Sequence, residues 1–466
     1  MTTVRLVPFV AVLLGAQALA NLDNAIVNVA TPAIGSTLHA GGAALQLTIV
    51  SYVLVTAMLL VPSARLGAVI GQRRLFCSGI VLFTLASFAC GMAPNAGALI
   101  AARAVQGIGA ALFVAQVLAA IGRSVPAAAK PRVIAAYTAT LSLSGIAGQL
   151  LGGALISLDL FGLSWRPLFL INVPLGIVLA IAAARVLPRD ATSAAHADLD
   201  PVGVVALGGA TIALILPLTL GRELGWPAWS IALLIACVPA AVAFVAWERQ
   251  RSARGTRPVL ALALFDDPPV RLGLLALACV RATYFSLLFV LAQYLQTRRH
   301  ESAFLSGVSL AIWAMGYGCA APLYPRASAA LARWFAPLGC AVMTAAYALL
   351  ALLASAGNDT PALVMVLLGC GGIGFGCVST ASMSLLTRSV AREHAADLSG
   401  VLSMMVPLMT VVGVGTFGTL YLTLASAPAH AFAIVCCTFA ATAAMGGVAA
   451  RLALRSARTL PHPAIA

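Results

Sequence analysis

About fourteen runs of roughly 20 apolar residues, separated by short polar connections, constrain this chain more than any other feature. Coiled as helices rising about 1.5 Å per residue, such runs cross a hydrocarbon layer about 30 Å thick. In that layer every backbone N–H and C=O must find its partner inside the segment, which leaves helices as the spanning elements. The runs are residues 7–29, 43–61, 75–93, 95–121, 133–158, 167–187, 202–220, 227–247, 270–294, 304–324, 335–354, 361–386, 398–424 and 429–454. With 62% hydrophobic and 9% charged residues, the chain carries more apolar surface than a water-soluble core hides. It reads as an all-α polytopic membrane protein.

The net charge of +14 invites a nucleic-acid reading, and the placement of the charges argues against it. With the N-terminus on the cytoplasmic side, every one of the 27 Lys and Arg residues except six falls in a cytoplasmic connection or tail. Arg166, Arg222, Arg298 and Arg299 fall outside; Arg103 and Arg281 lie within apolar runs. This is a positive-inside distribution with both termini cytoplasmic, and no nucleic-acid partner is expected. The opening MTTVRLVPFVAVLLGAQALA imitates a cleaved secretory signal, but its apolar run continues past Asp23 and an even number of spans suits the charge bias. The ten cysteines lie almost wholly in apolar runs without a CxxC pair or clustered histidines, so metal and redox chemistry are not expected. Nor does a nucleophile with a base, or a phosphate loop, indicate an enzyme.

A repeat organises the chain. GIG at 107–109 followed by RSV at 123–125 recurs, at a constant offset, as GIG at 372–374 and RSV at 388–390, and Gly148 and Gly153 fall on Gly413 and Gly418. The fourth and fifth runs thereby match the twelfth and thirteenth. A shift of eight runs implies two six-helix halves with an extra pair between them; coincidence among glycine-rich helices is the competing account. The division drawn is 1–190 for the first bundle, 191–250 for the inserted pair, 251–269 for a cytoplasmic linker with VLALALF at the interface, and 270–466 for the second bundle. GCGGIG, 369–374, has the spacing of a dinucleotide fingerprint but sits inside an apolar run with no strand before it. Close helix packing is the better account of it, as for Gly148 and Gly152.

Among 13 acidic residues, Asp23 alone falls inside a run; the other twelve lie in or beside connections. A charge at the bilayer centre costs at least about 2.5 kcal/mol, so such residues usually face a cavity or a partner. Counting along the runs puts Asp23 and Arg103 at similar depth in the outer half, within a side chain's reach of each other. Separating them would let Asp23 release and recapture a proton. A permanent structural pair, or an Asp23 hydrated near the surface, are the other readings. Arg281, mid-run with no acid to neutralise it, is a candidate for an anionic group of a substrate; water exposure or pairing with Asp23 are the alternatives.

These residues resemble the major facilitator superfamily, and within it the fourteen-helix drug:proton antiporter group of the quaternary-ammonium and multidrug exporter type. LDNAIVNVATPAI resembles the group's first-helix motif, with Asp23, Asn28 and Pro32 in place. LIAARAVQGIGAA resembles the motif carrying the proton-coupling Arg and places Arg103, Gln106 and Gly107. SGIAGQLLGG resembles the fifth-helix antiporter motif, with Gly148, Gly152 and Gly153, and SWRPLFLINVPLG is similar to the family's next segment after that motif. ARLGAVIGQRR keeps Gly71, Arg73 and Arg74 of the motif between the second and third helices. Ala68 stands where the family usually has Asp, which weakens the usual charge latch, and Gln149 stands where the antiporter motif has Pro.

The resemblance implies proton-coupled export of small, partly hydrophobic organic compounds by alternating access across the plasma membrane, the inner membrane of a Gram-negative cell. Asp23 and Arg103 would couple protons, and Asn28, Gln106, Gln149 and Arg281 would line the substrate cavity, with Pro32 ending the first helix. No cofactor is expected beyond the proton gradient. A monomer is expected, with an accessory export protein as an option. Export of a single metabolite, and a non-transporting sensor or assembly subunit, are the alternative functions.

Overall fold

A computed structural model of the chain describes residues 6–126, 129–190, 200–221, 224–254, 262–320, 323–324, 327–357, 360–390 and 395–459. Among these residues the secondary structure is helical throughout. Fourteen principal helices make up the order. They are α1 (Leu6–Leu38), α2 (Gly42–Ile70), α3 (Gln72–Gly91), α4 (Ala96–Ser124), α5 (Lys130–Leu158), α6 (Asn172–Val186), α7 (Pro201–Leu220) and α8 (Ala228–Ala253), then α9 (Pro268–Gln293), α10 (Ala303–Ala320), α11 (Phe335–Ala356), α12 (Pro361–Ser389), α13 (Ala395–Gly413) and α14 (Pro428–Thr459). Thirteen spans within the described residues are long and apolar enough to cross a bilayer, α6 being entered through the helical turn Pro167–Leu170. The fourteenth is broken by a π-helical segment, Val414–Gly418, and resumes at Thr419–Thr423.

Two compact units emerge. The first holds α1 to α8 together with residues Leu295–Val308; the second holds Leu260–Tyr294 and everything from Ser309 onward. In the first, α4 packs between α2 and α3, and α5 lies along α1. Glycines permit these close approaches: a Cβ at Gly107 would stand 2.6 Å from the Tyr52 carbonyl oxygen, and one at Gly148 would stand 2.7 Å from the Ala25 Cβ. The second unit repeats the scheme, α12 packing on α11 and α13 on α9, with a Cβ at Gly372 running into the Trp313 carbonyl and one at Gly413 into that of Ala282. The glycines paired by the constant offset thus hold corresponding seams.

Two sequence expectations change. Pro32 does not end α1; the helix continues through it to Leu38. Proline takes away the donor that would have met the Asn28 carbonyl, and Thr31 Oγ1 supplies one instead, at 2.9 Å. With the longer helix, Asp23 sits near the middle of α1 rather than toward one end.

The second change concerns the acids. Glu248 lies inside α8, which runs on past Trp247 to Ala253, and it is 0% exposed, so Asp23 is not the only buried acid. Beside it Asp200 caps α7, accepting from the Gly203 N–H at 2.9 Å and from Trp247 Nε1 at 3.2 Å, and it forms an ion pair with Arg251, whose Nε lies 3.2 Å from Oδ2. This pins the two inserted helices together at one end, and α7 leans on α2 through Gly208 and Met58.

Within the linker Leu262–Phe265 form a short 3-10 turn; the rest of VLALALF and residue 191 at the break lie outside the described residues.

Candidate buried acid site

Five elements of the first unit converge on Asp23. Arg103 and Gln106, one turn apart on α4, face the same way and meet it together. Arg103 Nη1 lies 2.6 Å from Asp23 Oδ2, and the same nitrogen donates to Gln106 Oε1 at 2.7 Å. Gln106 Nε2 donates to Asp23 Oδ1 at 2.9 Å. Asn172, the first residue of α6, donates from Nδ2 to the same Oδ1 at 2.7 Å and to Ser87 Oγ of α3 at 3.0 Å. Ser87 in turn donates to the Phe169 carbonyl.

The guanidinium is held from the other side by α2. Arg103 Nε donates to the Thr48 carbonyl at 3.2 Å, and its Cζ stands 4.2 Å from the centre of the Tyr52 ring. Asp23 is 1% exposed and Arg103 is 0% exposed, so the pair is closed off from water. The hydrogen bonds at the Asp23 carboxylate come from the Arg103 guanidinium and from the Gln106 and Asn172 side-chain amides. Two polar atoms remain without partners: Arg103 Nη2 and Asn172 Oδ1. The second is chemically useful, because turning the Asn172 amide over would present an acceptor to a protonated Asp23.

Sequence reasoning does not single out Asn172, Ser87 or Thr48. Asn172 stands in SWRPLFLINVPLG, where a polar residue at the start of an apolar helix is the available signal, and Thr48 contributes only its backbone.

The remaining sequence candidates fall in several places. Gln106 belongs to the acid cluster rather than to a cavity wall. Asn28 is buried and donates to the Asn24 carbonyl of its own helix at 3.0 Å, outside the cluster. Gln149 is buried on α5 with its Oε1 unpartnered. Gly148 and Gly152 face α1 at Leu22 and Ile26, on either side of Asp23 in the chain, while a Cβ at Gly153 would stand 2.6 Å from the Ala303 carbonyl oxygen. Arg281 belongs to the second unit, where its Cζ lies 4.9 Å from the centre of the Phe375 ring.

Gly71, Arg73 and Arg74 form a separate junction around Asp190, an acid to which the sequence assigned no role. The Asp190 carboxylate accepts from the backbone N–H of Arg73 at 2.9 Å and of Arg74 at 3.1 Å, capping α3 from a distance in sequence. The Arg73 guanidinium donates to the Ala184 carbonyl near the end of α6. Gly71, at φ +111°, leaves room for the carboxylate that a Cβ would occupy. The side chain of Ala68 lies outside the described residues. We expect Asp190→Ala to cost about 1 kcal/mol through the lost cap, measured as a lower thermal midpoint in detergent, and Asp190→Asn, which keeps an acceptor, to cost less.

Comparison with known proteins places this geometry in a family. The sequence profile of the Major Facilitator Superfamily matches residues 13–199 and 202–414. The chain is 32% identical to a probable actinorhodin transporter of Streptomyces coelicolor, covering 90% of this chain and 73% of the relative. It is 29% identical to the multidrug resistance protein Stp of Mycobacterium tuberculosis, over 85% of this chain and 72% of Stp. It is also 29% identical to the methylenomycin A resistance protein of S. coelicolor, over 86% of this chain and 82% of that protein. Among solved structures, a bacterial homologue of the human lysosomal transporter Spinster superposes with a TM-score of 0.67 at 16% identity, covering 97% of each chain. The xylose transporter XylE of Escherichia coli gives 0.61 at 13% identity, covering 99% of this chain and 98% of XylE. The chain is a multi-pass membrane protein of the Major Facilitator Superfamily.

Proposed function

We propose that this protein exports small, partly hydrophobic organic compounds across the plasma membrane in exchange for protons, and that Asp23 is the residue that carries the proton. The buried pair of Asp23 and Arg103 is the observation on which this reading rests. Relatives named for antibiotic transport and multidrug resistance support the substrate class. The positive-inside distribution of Lys and Arg supports cytoplasmic termini.

In the closed cluster Asp23 is paired with Arg103. Opening toward a proton source parts the carboxylate from Arg103; protonation then removes the ion-pair attraction, and Asn172 turns its Oδ1 toward the new O–H. Reclosing restores Arg103 to the carboxylate and expels the proton on the other side. The scheme needs no cofactor, because the gradient supplies the work. The chain works as a monomer in this scheme.

Proteoliposomes carrying a pH-sensitive dye test it. Wild-type protein is expected to move protons when a transported compound is added, and Asp23→Asn to abolish that movement while still binding the compound. Unchanged proton movement in Asp23→Asn would remove the assignment.

A further inference from the structure

The second unit holds an aromatic cluster that proton coupling does not use. Tyr284 of α9 stacks on Trp313 of α10, with ring centres 4.4 Å apart and planes 15° from parallel. Phe375 of α12 closes on both, 5.2 Å from Tyr284 and 4.9 Å from Trp313, and Tyr317, one turn along α10 from Trp313, meets Phe375 edge-on at 5.1 Å. Trp313 and Phe375 are fully buried, while Tyr284, Tyr317 and Arg281, at the rim of the cluster, are half-buried.

Arg281 lies one turn before Tyr284 on the same face of α9, 13 residues beyond the first residue of the helix, or about 20 Å along its axis. No carboxylate among the described residues pairs with it, and its Nε is buried without a partner. Its guanidinium lies over the Phe375 ring face. A guanidinium so placed keeps planar donors for an incoming anion.

The two features select together. Stacked rings alone attract flat apolar molecules, and also cations, through the negative ring faces. A fixed guanidinium on the rim repels the cations and rewards an acidic group. We infer that the rim formed by Arg281, Tyr284 and Tyr317 is a substrate subsite for planar aromatic molecules bearing an anionic group, such as a sulfonate, carboxylate or phenolate. This deepens the export reading and rests on it, naming the class of cargo.

Equilibrium binding to the full chain in nanodiscs, without any gradient, tests the subsite. The probes are anthraquinone-2-sulfonate, neutral anthraquinone and cationic 9-aminoacridine. Wild type is expected to bind the sulfonate about ten-fold more tightly than the aminoacridine. Arg281→Gln is expected to lose about ten-fold for the sulfonate and little for anthraquinone, Arg281→Lys to keep most of the preference, and Tyr284→Leu to weaken both flat ligands. Failure of wild type to bind the sulfonate, equal affinity for anion and cation, or an Arg281→Gln protein of normal melting temperature that binds the sulfonate as wild type does, each overturns the inference. If Arg281→Gln does not fold, the wild-type preference and Tyr284→Leu decide. Anion preference without proton movement overturns the coupling reading alone, and coupled export without anion preference overturns the subsite alone.

Discussion

Removing either partner of the buried pair is expected to destabilise the protein by about 3–5 kcal/mol, whereas removing both is expected to cost no more than removing one. The reason lies in the group each single substitution leaves behind. Asp23→Asn strands a guanidinium that keeps the Thr48 and Gln106 oxygens and the Tyr52 and Phe169 ring faces but no carboxylate. Arg103→Gln strands a carboxylate that still has the amides of Gln106 and Asn172. These orphans are not equivalent, since a buried carboxylate can take up a proton and become neutral while a guanidinium cannot lose one. Asp23→Asn is therefore expected to be the more damaging change. Arg103→Gln is expected to be the milder one. Melting curves of the two single variants and the double variant in one detergent give the cycle. Single losses that simply add would show that the two charges do not interact, and the coupling scheme would lose its basis.

The pair itself is legible because charge in an apolar run is conspicuous and helical rise converts residue number into depth. Its surroundings are harder to read. Asn172 and Ser87 are uncharged, and polar residues of that kind occur in many apolar helices, so only the fold shows that they reach Asp23. Glu248 reads as part of a connection because charges begin directly after Trp247. Helices continue beyond the apolar layer, and α8 carries Glu248 back into a buried corner against Asp200 and Gly203. The same assumption, that a breaker stops a helix, misplaces the end of α1 at Pro32; a neighbouring Thr hydroxyl can supply the missing donor, which periodicity does not reveal. Asp190 shows the reverse error, an ordinary loop acid whose carboxylate caps a helix more than a hundred residues earlier in the chain. The glycine seams come more directly from the repeat, because close helix approach demands small residues at fixed positions.

Those seams give the second large effect. Along the contact of α5 with α1, Gly148 and Gly152 look alike in sequence and differ in their surroundings. A Cβ at Gly148 would lie 2.7 Å from the Ala25 Cβ and 2.9 Å from the Leu22 carbonyl oxygen, against 3.4 Å for the nearest atoms at Gly152. Gly148→Ala is therefore expected to push α5 off α1 at a cost of about 1–3 kcal/mol, and Gly148→Val to cost more, whereas Gly152→Ala changes stability by about 0.5 kcal/mol or less. The effect should not stop at stability. Leu22 precedes Asp23 directly, so a wedge at Gly148 displaces the backbone that aims the carboxylate at Arg103. Substrate-induced proton movement is expected to fall sharply in Gly148→Ala protein that still folds, and to persist in Gly152→Ala. Thermal midpoints and the dye assay in proteoliposomes, run on the same preparations, separate the two consequences. Equal behaviour of the two variants would mean that α5 does not hold Asp23 in register. A Gly148→Ala protein that is destabilised yet fully coupled would mean that the seam carries packing alone.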